Sequence, residues 1–93
     1  MLERELEALF VRESKRRGLL IFKWVSPSNR GVPDRIVVFP GGAVHFVELK
    51  TERGTLSPLQ RHVHEALRAQ GAYVHTLCGE TALKRWLDEI EKI

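Results

Sequence analysis

The sequence predicts an α/β fold in which a mixed four-stranded sheet is flanked by helices, in the order αβββαβα. Apolar residues recur at three- and four-residue steps in three segments, the mark of amphipathic helices. Between those segments lie short runs of branched and aromatic residues punctuated by Gly and Pro, the mark of strands. The second and third runs meet at Pro40-Gly41-Gly42, a hairpin pattern, while a helix separates the third from the fourth. A strand, helix, strand order with short connections implies a right-handed crossover, so the fourth strand should run parallel to the third.

Each element has its own warrant. The first helix, 2–17, carries Leu2, Leu6, Leu9 and Phe10 on one stripe and ends in Lys15, Arg16 and Arg17 before a capping Gly18. Leu19 to Val25 reads as the first strand, stopped by a long run of turn and breaker residues from Ser26 to Pro33. Ile36–Phe39 and Ala43–Lys50 are apolar on both parities, so both should be central strands. Ser57-Pro58 offers an N-cap and a first-turn proline to a second helix over 58–70, whose face is Gln60, Val63, Leu67 and Gln70, with Gly71 closing it. Tyr73–Cys78 is the fourth strand, and Leu83, Trp86, Leu87 and Ile90 mark the last helix.

Composition bounds the function. A chain of 93 residues is the size of one domain, 1–93, with a thin core, so its elements must serve both stability and chemistry. With 15 Lys+Arg against 12 Asp+Glu the net charge is +3, which permits a polyanionic partner without demanding one. The one cysteine, Cys78, excludes an internal disulfide framework and a CxxC zinc site. No secretion signal, repeat or apolar run near the ~20 residues of a membrane span is visible, so the expectation is a cytoplasmic protein of a bacterial or virus-infected cell, with no membrane partner.

The chemistry sits where polar residues interrupt the strand pattern: Asp34 at the mouth of the second strand, Glu48 and Lys50 near the end of the third. Residues two apart on a strand share a face, so Glu48 and Lys50 project together. Alone, such a pair reads as a solvated ion pair worth ~0–1 kcal/mol. A hairpin, however, can bring the Asp34 carboxylate within ~4.5–5.5 Å of its cross-strand partner, Cβ to Cβ. Two carboxylates at that spacing make a site for a hard divalent ion such as Mg2+. Register tests this. A two-residue turn at Gly41-Gly42 would pair Pro40 with Ala43 and set Asp34 opposite Leu49, on the wrong face. The site therefore requires an odd-numbered loop or a bulge that sets Asp34 opposite Glu48 or Lys50.

Arg30-Gly31-Val32-Pro33-Asp34, then Glu48-Leu49-Lys50, then Ser57-Pro58-Leu59-Gln60 together resemble the VRR-NUC family of the PD-(D/E)xK, restriction-endonuclease-like superfamily, whose αβββαβ core matches the order above and leaves the C-terminal helix as an addition. The resemblance implies that Asp34 and Glu48 bind metal, Mg2+ with Mn2+ as a substitute, and that Lys50 stands next to the attacking water. It implies that Glu3 completes the metal site from the first helix. Glu5 and Glu7 are close by, and the interval to Gly18 favours Glu3. Gln60 resembles the glutamine that the second helix turns toward the same centre, and its alternative role is to close that helix's first turn.

The implied activity is a metal-dependent, structure-selective endodeoxyribonuclease, without a small-molecule cofactor, resolving four-way DNA junctions as a homodimer, with flap or single-strand cleavage left open. No recognition helix or groove-reading motif is visible, so the DNA backbone rather than sequence should be read, with Arg30, Arg35, Arg53 and Arg61 as the phosphate track. The alternative is a DNA-binding or assembly module that keeps the fold without hydrolysis. Arg12, Lys15, Arg16 and Arg17 read as a solvated helix end or else as part of that phosphate track, and His45, His62, His64 and His75 as surface or strand residues without metal-ligand spacing. Trp24 and Trp86 read as core or interface anchors.

Overall fold

The computed structural model describes residues 1–91. Their elements run α1 (Glu3–Arg16), β1 (Leu20–Lys23), β2 (Arg35–Val38), β3 (Val44–Lys50), α2 (Pro58–Ala69), β4 (Tyr73–Cys78) and α3 (Gly79–Glu91). The sheet order is β1-β2-β3-β4, with β1–β2 and β2–β3 antiparallel and β3–β4 parallel, so the sheet is mixed and the two doubly apolar strands are central. These are the architecture and strand directions expected from the sequence.

The β2–β3 connection holds three residues. Phe39 and Ala43 face each other across Pro40-Gly41-Gly42, with the Phe39 amide donating to the Ala43 carbonyl at 2.8 Å. Gly41 and Gly42 take φ of 97° and 96°, a region open to glycine but strained for other residues. An odd loop is what the Asp34–Glu48 pairing required. The register Arg35↔Val47 places Asp34, one residue before β2, opposite Glu48.

The sheet has two different faces. On one, Val37, Val47, Leu49 and Leu77 pack with Leu6, Leu9 and Phe10 of α1 and Leu83, Trp86 and Leu87 of α3, forming the core. Leu2 caps α1 instead of joining that stripe and is exposed. On the other face α2 packs against β4, while Leu20, Phe22 and Val44 stay exposed. The first strand is shorter than expected. It ends at Lys23, after one further ladder bond from the Trp24 amide to the Asp34 carbonyl at 2.8 Å, and Val25 is then exposed.

Two readings need correction. Arg17 is not part of a solvated helix end: its guanidinium, 6% exposed, bridges Glu13 of α1 and Asp88 of α3, each at 2.8 Å. His64 is not a surface residue but fully buried. Trp86 is a core residue as expected, with Phe10 and Phe39 against it.

Candidate active site

Asp34 reaches its position because the chain before it is tied to α2. Gly31, at φ 91°, lies so close to the second helix that a Cβ there would meet the Leu59 carbonyl at 2.9 Å and Val63 at 3.0 Å. Pro33 follows, fully buried, and delivers Asp34 to the end of the β2–β3 ladder. There the Leu49 amide donates to Asp34 Oδ2 at 3.1 Å, so a backbone group of the facing strand orients the carboxylate.

Glu48 and Lys50 project from β3 on the face that carries Asp34, because alternate residues of a strand share a face. Glu48 is 2% exposed, which a solvated ion pair at a fraying strand end would not be. Its Oε2 lies 3.9 Å from Lys50 Nζ, and its Oε1 has no hydrogen-bond partner among the described residues. Burial first, then the hydrogen-bonded and negatively charged Asp34 carboxyl, push Glu48 up to about 8, against a partial opposing pull from Lys50. Burial and a neighbouring carboxylate both favour the protonated form of Glu48 unless a cation is present.

Glu3 opens α1 and is exposed, and its charge is felt at Glu48 as a further, smaller upward influence. Glu5 is committed elsewhere: its carboxylate accepts the Leu2 amide at 2.7 Å and closes the helix start. Gln60 also serves a helix end. Its Oε1 accepts the Ser57 amide at 2.9 Å while its own amide donates to Ser57 Oγ at 3.1 Å, a reciprocal cap on α2.

His64 was missed by the sequence reading. It faces Glu48, with Nε2 3.7 Å from Oε1, and burial, then Arg68, hold its ring below the usual histidine range and so neutral. The available signal was periodicity: Gln60, Val63, His64 and Leu67 form one stripe of α2, and His64 occupies its centre.

Arg30, Arg53 and Arg61 are exposed on segments that adjoin the carboxylates in the chain: the loop before Asp34, the loop after β3 and the start of α2. Arg35 is not brought to them. It follows Asp34 directly and points to the other face of the sheet. His45 and His75 also lie on that other face, joined at 2.8 Å between Nδ1 and Nε2 and both packed against Trp86. The shallow depression on the outer side of α3, lined by Glu80, Lys84, Arg85, Asp88 and Glu89, is a mixed-charge helix surface away from this chemistry.

The donor set suits a hard cation. Carboxylate oxygens are what Mg2+ takes, and it keeps several waters when one or two carboxylates hold it. The raised Glu48 carboxyl beside Asp34 marks a place where positive charge is wanted. Among the described residues no group of three or more His, Cys, Asp or Glu is arranged to hold a metal, so Asp34 and Glu48 would leave the remaining positions to water or phosphate.

No protein-family model matches the sequence. The chain is 40% identical over 75 residues to a protein of Acyrthosiphon pisum secondary endosymbiont phage 1 named "Putative nuclease p44", with 81% of each chain covered. A solved structure described as a VRR_NUC domain superposes with a TM-score of 0.80 at 28% identity, covering 97% of this chain and 94% of that one. Among the described residues no helix is long and apolar enough to cross a membrane.

Proposed function

Because the chain belongs to the VRR-NUC family of nucleases, we propose that it is a Mg2+-dependent, structure-selective endonuclease that cuts the DNA backbone as a homodimer, with four-way junctions as its substrate. The observation that carries this reading is the buried Glu48 carboxylate opposite Asp34, with Lys50 beside it.

Hydrolysing a phosphodiester needs a nucleophilic water and a means of stabilising charge on the phosphoryl oxygens and the leaving 3′ oxygen. Asp34 and Glu48 would hold the ion, for which Mn2+ could substitute, and the Glu3 charge at the start of α1 would add to the negative field that draws it in. When bound, it supplies a lowered pKa for a water and positive charge beside the phosphate. Lys50 orients the attacking water and counters the charge that develops on the phosphoryl oxygens. Gln60 contributes through its amide group without competing for the cation. Arg30, Arg53 and Arg61 engage flanking phosphates, which position the duplex without reading its sequence. A two-fold homodimer would present two identical sites to a junction that has two symmetric strands to cut.

The test is cleavage of labelled four-way and flap DNA by the purified protein with Mg2+ and with chelator. Asp34→Asn and Glu48→Gln are run in parallel, and sedimentation reports the oligomeric state. Paired symmetric nicks on the junction that disappear with chelator and in both variants are the expected result. Tight binding without cleavage in any metal would instead favour a non-catalytic DNA-binding module.

A further inference from the structure

Glu48 has two carboxylate oxygens in different surroundings. Oε2 faces Lys50 at 3.9 Å, and Oε1 faces His64 Nε2 at 3.7 Å. Glu48 Oε1 and the two ring nitrogens of His64 are buried without a hydrogen bond of good geometry among the described residues, and the one backbone group that acts on the ring is at Gly31. His64 is 0% exposed, at the centre of the stripe that α2 turns to the sheet. A buried imidazole with one ring nitrogen left for Glu48 is costly, and a leucine would fill the same space at no polar cost. The terminal torsion of a glutamate is broad and roughly two-fold, so strand geometry alone does not set the plane of its carboxylate.

From this geometry we infer that His64 is a positioning residue for Glu48: its Nε2–H donates to Oε1 and fixes the plane in which Oε2 is presented beside Asp34. The inference rests on the reading of Asp34 and Glu48 as the metal-holding pair. Less than 1 Å of closure brings 3.7 Å into hydrogen-bond range, and site hydrogen bonds commonly tighten when a site is filled. The platform for His64 is firm, because neighbouring residues of the same helix, Leu59 and Val63, press on Gly31 of the segment that carries Asp34. One helix thus supports both carboxylates, the first through the backbone of its loop and the second through a side chain.

The test is a calorimetric titration of the full chain with Mn2+, together with melting in chelator, for wild type, His64→Leu and His64→Gln. The leucine fills similar space without a donor, whereas the glutamine amide keeps one. His64→Leu should fold, melt in chelator no lower than wild type and bind Mn2+ about 10–100-fold more weakly, the usual cost of losing an outer-shell partner. His64→Gln should recover most of that affinity. Should the leucine variant not fold, His64→Met, flexible and also without a donor, takes its place in the titration. Equal Mn2+ affinity in wild type and the donor-less variant overturns the role of His64 and leaves the metal pair standing. Failure of wild type itself to bind Mn2+ or cut DNA overturns the reading of the pair.

Discussion

Glu48→Gln should make the metal-free protein more stable while abolishing its metal binding. Glu48 is pushed up to about 8 by burial and then by Asp34, against 4.5 for the ordinary carboxyl. Its folded pKa is therefore raised, the reverse of the usual salt-bridged carboxylate. Between those values the folded chain keeps a proton that the unfolded chain has released. Wild-type stability is then intact below pH 4.5, falls as pH rises through the window from 4.5 to 8, and levels off above it. At 1.36 kcal/mol per pKa unit, the upper bound on the penalty at pH 7 is about 3 kcal/mol. Water entry and carboxylate rearrangement relieve part of it, leaving roughly 2 kcal/mol. Glutamine is the same shape, carries no charge and can donate to Asp34, so it escapes the penalty.

For a domain of this size each kcal/mol moves the melting temperature by roughly 4–8 °C, so the variant should melt some 8–16 °C above wild type at pH 7 in chelator. The assay is thermal melting by circular dichroism at pH values from 4.5 to 8.5. The gap between variant and wild type should be near zero at the acid end and widen through the window. Adding Mg2+ should then raise wild type alone, by about 2.7 kcal/mol at a hundred times its dissociation constant. A gap that does not change with pH, or a variant less stable than wild type at pH 8, would show that Glu48 carries no such penalty.

Other perturbations test the frame around the site. Gly31→Ala places a Cβ 2.9 Å from the Leu59 carbonyl at a φ of 91°, so backbone strain and overpacking together should cost about 2–4 kcal/mol, read as a lower denaturant midpoint at unchanged slope. Ser57→Ala removes the oxygen that accepts the Gln60 amide and should cost about 1 kcal/mol in the same measurement. His75 is pushed down to about 4, by burial first and by His45 second, so acid is resisted by the fold but taken up by the unfolded chain. Stability conferred there is present above pH 6.5 and lost as pH falls toward 4, and His75→Val should flatten that acid-side decline in a pH series of melts.

Much of this was legible in the sequence because it depends on local rules. The period of two placed Glu48 and Lys50 together, and the arithmetic of the Pro40–Gly42 loop showed that Asp34 could join them only across an odd connection, which is the connection found. Gln60 was readable as a cap because Ser57 stands three residues before it. Residues whose role depends on what lies across the fold were not legible. Spacing to other histidines says nothing of His64, whose role comes from the strand under α2, where it faces Glu48. Arg17 ended a run of basic residues, and nothing local announced Asp88, 71 residues later, as its partner. Arg35 was grouped with other arginines by charge, although its parity relative to Asp34 already assigned it to the opposite face.

The division of labour between the two faces accounts for how so small a chain tolerates a buried Glu48 carboxylate facing Asp34. Domains are stable by only ~5–15 kcal/mol, and a penalty of a few kcal/mol at the site would consume much of that margin unless the remaining core were left intact. In β3 the two roles alternate residue by residue, Val47 and Leu49 joining the core with α1 and α3, Glu48 and Lys50 facing the α2 side. A slip of one residue against β2 would bury the charges among leucines and carry the core residues to the site, so register here governs folding and chemistry at once. That coupling gives the distant Pro40-Gly41-Gly42 turn a functional consequence. Its three-residue length, with two glycines at positive φ, holds the one pairing in which Asp34 meets Glu48 and Val37 lies on the core face of the sheet.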